Sequence, residues 1–486
     1  MTGPAPLLSF RGALLAFGLA LALTWPMLAT GGYLVFTDTL SYISGGDIIW
    51  RMGRHLLRSL MGIREAVGES AQSMVNDKGE PYVVRSFAYS LFTLVAGASI
   101  WPAGFAILQT AATLWASFAL IGPEAITRPG RLVLTFLYLA TASTLPWFAV
   151  YLMPDLLAAA IVIYAAILVR RFDDLRTWQQ IALGAIASFA IIAHYGHVPL
   201  AVGLFGFVLI WRGVGRRLTR RVILAGLIPI LFSPLANLSA SSLVLDTPST
   251  TPLRLPVLLA RSIADGPARW YLEEACPDAA LVMCEVYGKD IPDIGEFLWG
   301  DSGISSLTPE QLEGIRAEES TILLSAFRRY PLEQTESLLG NSARQIVSVG
   351  TDQISVATWD EQGDLIFAEP GAQGLRIVEA FDPVTVVGTW AAAAVILLLW
   401  AMGRLGRHEL ELLAIVVVGL LINAAIFGGL SAPVDRYQSR VIWLIPALAG
   451  LFLTTSNRVR QLHKSGATLR GRRSDDLTEW PRVQDR

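Results

Sequence analysis

The 486-residue chain is 53% hydrophobic and only 16% charged, carries a formal net charge of −2, and has a mean hydropathy of +0.50. Its apolar residues fall in repeated blocks long enough to cross a hydrocarbon core of roughly 30 Å, which excludes a soluble globular protein. No basic block of the kind that binds nucleic acid stands out, so the membrane is the partner that composition points to.

Taken in order, apolar runs near 11–30, 101–121, 131–149, 154–170, 179–195, 198–212, 222–240, 384–403, 409–430 and 438–455 predict about ten transmembrane helices. The first of these is read as a span rather than a cleaved signal, because no small-residue cleavage site follows it. Arginines crowd the connections after the second, fourth, sixth and eighth spans: Arg128 and Arg131; Arg170, Arg171 and Arg176; Arg212, Arg216, Arg217, Arg220 and Arg221; Arg404 and Arg407. The positive-inside bias then places these loops and both termini in the cytoplasm. Residues 31–86, the link at 146–154, the corner at 194–197, the segment 241–383 and the corner at 431–440 are expected to face outside, which in the inner membrane of a Gram-negative bacterium is the periplasm. The expected architecture is an all-α polytopic membrane protein: an N-terminal membrane region 1–240, a small mostly α periplasmic domain 241–383, a C-terminal membrane region 384–457, and a basic, disordered tail 458–486.

Within the first external loop, Ile48, Ile49, Met52, Leu56, Leu60 and Ile63 recur at helical spacing opposite Arg51, Arg54 and Arg58, the pattern of a helix lying on the outer leaflet. Residues 64–81 are polar and read as mobile, and Leu91–Ile100 is apolar but too brief to cross. In the large segment, Thr308-Pro309-Glu310-Gln311 predicts a capped helix start, with helices over 309–330 and 331–347. A hairpin is expected over 353–367 around Gln362-Gly363. The two cysteines, Cys276 and Cys284, lie in this segment; outside the cytoplasm a disulfide is the expected state, and the alternative paired-thiol metal site lacks nearby histidines.

Ionisable residues at the outer ends of spans need an explanation. Asp38 follows the first span with Tyr42 four residues on; it reads either as a cap of a juxtamembrane helix or as a base toward a hydroxyl. Asp155 follows Pro154 at a helix entry, where an acid is favoured by the helix dipole, or else lines the same cavity as Asp38. His194 and His197 stand three apart, as two ligands on one face or as part of an interfacial turn; a third ligand is missing. Asp435-Arg436-Tyr437-Gln438-Ser439-Arg440 puts two arginines on the outer side, against the positive-inside bias, and their spacing of four suits a grip on phosphate as well as contact with headgroups or Asp435.

The ensemble resembles the GT-C superfamily of integral-membrane glycosyltransferases, which use lipid-phosphate-linked sugars. The resemblance rests on the first-loop acid Asp38 with Tyr42 after it, the juxtamembrane helix, an Arg-x-x-x-Tyr entry at Arg85 to Tyr89, a second external acid at Asp155, and the external domain. It covers roughly 11–240 and 384–455 by architecture. It implies transfer of a sugar from a polyprenyl-phosphate carrier to an envelope glycan, lipid or protein, with inversion at the anomeric carbon. Asp38, as the base, and Asp155 become the catalytic carboxylates and Arg85, Arg436 and Arg440 the donor phosphate clamp, while Tyr42, His194, His197 and Tyr437 line the cavity. The resemblance leaves room for a divalent cation, although no Asp-Asp or Glu-Asp pair follows the first span and no Trp-Trp-Asp motif occurs in the external segment. Other classes compatible with the same external chemistry are a flippase or transporter for a lipid-linked glycan, which usually shows repeated halves with broken helices, an O-antigen-ligase-like enzyme, and a membrane-anchored scaffold.

Overall fold

A computed structural model of the protein describes residues 7–46, 86–97, 101–215, 217–244, 249–251, 254–276, 278–360 and 365–455. The expected surface helix over 48–63, the polar stretch 64–81, Arg85 and the tail 458–486 lie outside the described residues.

The chain is overwhelmingly helical, and among the described residues seven helices are long and apolar enough to cross a membrane: Phe10–Thr30, Pro102–Leu120, His197–Val214, Arg220–Ser242, Gln373–Ala401, Arg407–Gly429 and Asp435–Thr455. Each coincides with an expected span. The other three expected spans are shorter. Pro129–Ala142 breaks at Ser143 before a five-residue helix, Leu145–Ala149, while Leu157–Arg170 has 14 residues and Thr177–Ile192 has 16. At 1.5 Å per residue, 14 residues reach about 21 Å, short of a hydrocarbon core of roughly 30 Å. Leu157–Val169 is buried without interruption. This helix is the hub of the bundle, packed by Pro102–Ser117, Thr177–Ile192, His197–Val214 and Arg407–Ala424, so its apolar run reflects protein on all sides rather than lipid.

The two ends of the bundle differ chemically. At one end, Arg128 and Arg131 donate to the carbonyls of Thr454 and Leu453, Arg212 donates to Leu168, and Gln179 donates to Leu8. The loop arginines and both described chain termini thus share an end. The first-loop acid, the turn before Asp155 and the Asp435–Arg440 corner meet at the other.

That second end contains a sheet where only a hairpin was expected. Strands β1 (Tyr33–Val35), β2 (Ser355–Trp359) and β3 (Leu365–Phe367) form an antiparallel sheet in the order β1-β2-β3, with Leu34 opposite Val356. Gly31, at φ 70°, ends the helix Trp25–Thr30 in a left-handed turn that delivers the chain to β1. Leu34 also bridges Tyr151, and its carbonyl accepts from the Leu152 amide at 2.9 Å. The segment after the first long helix is thereby stitched to the link before Asp155 and to the C-terminal half at one place.

Residues 255–326 form a hydrophobic cluster of their own, centred on Leu259, Ile263, Met283, Phe297, Ile315 and Ile322. Cys276 and Cys284 are disulfide-bonded inside it. The predicted helices are present as Pro309–Arg329 and Pro331–Val347, the first opened by the Thr308/Gln311 capping box. The second leaves this cluster and packs against the C-terminal end of the Arg407–Gly429 helix, and Val349, Ile354, Val356, Ala357 and Leu365 contribute to the main core.

Candidate functional site

The site is assembled at three helix ends. A 3-10 turn, Pro154–Leu156, presents Asp155 at the start of the hub helix. Helix Asp435–Ile442 carries Arg436 and Arg440 one turn apart, on the face turned inward. The Arg407–Ala424 helix loosens into a π turn over Ala425–Gly429, which sets Asn423 and Phe427 beside those arginines. Single π turns inside α-helices recur at functional sites.

Asp155, Arg436 and Arg440 are buried together, at 2%, 6% and 1% exposure. Asp155 Oδ1 lies 3.4 Å from Arg440 Nη1 and 3.6 Å from Arg436 Nε. Arg440 Nη2 also donates to Asn423 Oδ1 at 3.2 Å. Aromatic faces complete the enclosure: Arg436 stands 3.9 Å over the Phe36 ring, Arg440 stands 3.8 Å over Phe427, and Tyr437 lies within 5.1 Å of both. Even so, Arg436 Nε and Nη1 and Arg440 Nε have no hydrogen-bond acceptor among the described residues. Among the described residues Asp155 is the carboxylate that pairs with both guanidinium groups, and their unused donors are suited to an anionic group.

Asp38, on the helical stretch 37–46, is half-buried and close enough to act electrostatically on Arg436 and Tyr151. Its neighbour Thr39 fixes this entry: the hydroxyl donates to the Leu152 carbonyl at 3.2 Å and accepts from the Phe36 amide at 3.0 Å. Tyr42 is buried edge-on against Tyr89 at 4.9 Å, and Tyr89 donates to Gln109, which in turn donates to the carbonyl of Met153, two residues before Asp155. The Tyr89 end of the Arg-x-x-x-Tyr pattern thus lies in the same neighbourhood; Arg85 is outside the described residues.

His197 is fully buried and its Nδ1 sits 2.7 Å from the Ala190 carbonyl, which makes Nδ1 the protonated nitrogen of the neutral ring. His194 is 5.1 Å from His197 and 5.9 Å from Phe427, ring to ring, so both histidines flank the Arg440 side of the cluster. His194 accepts from the Gly196 amide at 3.0 Å, a local turn contact. Among the described residues no group of three or more His, Cys, Asp or Glu side chains is placed to hold a metal ion.

Three residues that sequence reasoning did not single out hold the arginines in register. Asn423 donates to the Tyr437 carbonyl at 2.7 Å and to Gln438 at 3.1 Å while accepting from Arg440. Gln345 grips both sides of Val434, the residue before the arginine helix: it donates to the carbonyl at 2.8 Å and accepts from the amide at 3.0 Å. Ser439 accepts from the Gly350 amide at 2.9 Å, and its carbonyl accepts from Thr144 at 2.6 Å. The one available signal was Phe427-Gly428-Gly429 within an apolar run, since paired glycines there mark irregular backbone or close approach.

No family model, curated protein or solved structure matches the chain.

Proposed function

We propose that the chain is a glycosyltransferase working at the periplasmic face of a bacterial inner membrane, moving a sugar from a polyprenyl-phosphate carrier to an envelope glycan, lipid or protein. On this reading the arginine-bearing end faces the cytoplasm, as the positive-inside bias favours, and the short helices complete about ten passes. The site end and residues 241–383 face outward. The observation that carries the reading is the buried Arg436/Arg440 pair, with three nitrogens that lack an acceptor among the described residues and with the half-buried acid Asp38 near enough to act on the charge of Arg436.

Asp38 accepts the proton of the acceptor hydroxyl. The hydroxyl oxygen forms a bond to the anomeric carbon as the carbon–oxygen bond to the carrier phosphate breaks on the opposite face, inverting the centre. The electron pair leaves with the polyprenyl phosphate, whose charge the two guanidinium groups stabilise where it develops. Asp155, held by both arginines, positions them for that task.

The test is the set of envelope glycans in cells carrying Asp38→Asn or Arg436→Ala, with membrane insertion checked in parallel. Loss of one sugar or glycan class from both variants supports the reading. Variants that insert normally and leave every glycan unchanged defeat it.

A further inference from the structure

A cavity lies at the end of the bundle opposite the Asp155 cluster. It has a volume of about 540 Å³ and runs between helices Pro129–Ala142, Gln373–Ala401 and Leu444–Thr455. Its walls are almost wholly apolar, with Leu134, Ala391, Val395, Pro446 and Leu453 among the lining residues. The Tyr138 hydroxyl donates to the Gly388 carbonyl at 2.6 Å and closes one side. Leu134, Ala391 and Leu453 are also exposed at the outer surface of the bundle, so the groove opens sideways, where a membrane's acyl chains lie.

Two arginines line the same groove, Arg131 and Arg404. Arg131 spends one of its guanidinium N–H groups on the Leu453 carbonyl at 2.8 Å, which anchors the side chain at the groove and leaves further donors for a ligand. Neighbouring Arg128 donates to Thr454 at 2.6 Å and holds the same corner. The groove is therefore apolar along its length and cationic at the end where the loop arginines gather.

We propose that this groove binds one anionic phospholipid, its acyl chain along the Leu134–Val395 walls and its headgroup phosphate against Arg131 and Arg404. An apolar slot ending in fixed positive charge matches a lipid with a negative headgroup and distinguishes it from a zwitterionic one, as basic pockets between transmembrane helices do elsewhere. The inference does not depend on the reaction proposed above.

The test is native mass spectrometry of the full-length protein, released from bilayer discs made of equal parts phosphatidylglycerol and phosphatidylcholine with identical acyl chains. One retained phosphatidylglycerol, favoured at least tenfold over phosphatidylcholine, is expected. The Arg131→Ala/Arg404→Ala double variant should lose that preference. Ala391→Trp, which fills the groove and leaves the arginines intact, should release the lipid. Equal retention of both lipids, retention of neither, a lipid-free dimer, or undiminished retention in Ala391→Trp would each overturn the proposal.

Discussion

Replacing Asp155 with Ala tests the central cluster most directly, because it removes the carboxylate that faces both buried arginines. The carboxylate oxygen Oδ1 serves Arg440 at 3.4 Å and Arg436 at 3.6 Å. Arg436 also feels Asp38, whereas Arg440 keeps the Asn423 amide oxygen as its remaining polar side-chain partner among the described residues, so Arg440 bears most of the loss. Deleting one member of a buried ion pair typically costs about 3–5 kcal/mol, since it strands a charge that cannot reach water. That is roughly a hundred- to several-thousand-fold change in the folded/unfolded ratio. The measurement is SDS titration of the purified protein in mixed micelles, read by far-UV circular dichroism. Adding Arg440→Met to Asp155→Leu should recover part of the stability, because it removes the guanidinium that depends most on Asp155 and leaves Arg436 with the charge of Asp38. A cost under about 1 kcal/mol for Asp155→Ala, or a double variant whose effect is the sum of the singles to within ~0.5 kcal/mol, would refute the coupling inferred from the geometry.

Other perturbations probe the surroundings. Gln345→Leu strands the amide and carbonyl of Val434 and should cost about 1–3 kcal/mol for each group left without a partner; the same titration reads it, and an unchanged midpoint argues against the clamp. Gly428→Ala would place a Cβ 2.4 Å from Gln345 Cβ and 2.9 Å from the Asn341 carbonyl oxygen, an overpacking worth ~1–3 kcal/mol that loosens helix Pro331–Val347 as seen by hydrogen exchange. Partial burial and the Asp382 carboxylate push the pKa of Asp352 above its ordinary value. A raised folded-state pKa means stability present at acid pH is lost as pH rises through it, so Asp352→Asn should be the more stable form at neutral pH and lose that advantage below about pH 4. The opposite trend counts against the acidic crowding. Replacing Cys276 and Cys284 with Ser opens a loop of eight-residue separation, a cost near 2.5 kcal/mol on loop-closure grounds, and should expose 255–326 to proteolysis before the membrane core.

Local chemistry was readable where the chain supplies its own stop and start signals. Thr308-Pro309 and Gln311 mark a helix start because cap, proline and return hydrogen bond are all within four residues. The strands around Gln362-Gly363 were readable for the same reason. Strand β1 was not: three residues, Tyr33–Val35, pair with a partner more than 300 residues away, and no local pattern encodes that. Span counting met a different limit, since Leu157–Val169 is as apolar as a lipid-facing helix but is covered by protein. Arg436 and Arg440 stood out because they oppose the charge bias of the loops. Asn423 and Gln345 did not, being single amides whose importance comes only from the backbone groups they meet.

The cluster makes a poor device for stability alone. Burying ion pairs seldom yields net stability over an apolar substitute, and each buried donor left without an acceptor costs about 1–3 kcal/mol. Three such nitrogens on Arg436 and Arg440 outweigh the ~0.5–2 kcal/mol that each ring face of Phe36 or Phe427 returns. An anion accepting from those nitrogens removes the deficit, so its binding should appear as added stability. Farnesyl phosphate, a short polyprenyl phosphate, is a suitable probe, with farnesol as the uncharged control. At a hundredfold excess over its dissociation constant it should stabilise the wild-type protein by about 2.7 kcal/mol in the SDS titration. Arg436→Ala should shift little, and farnesol should shift neither protein. An equal response to farnesol would assign the effect to the chain rather than the phosphate, and an undiminished response in Arg436→Ala would place the anion elsewhere. Either result would leave the buried arginines without the role that their unsatisfied donors imply.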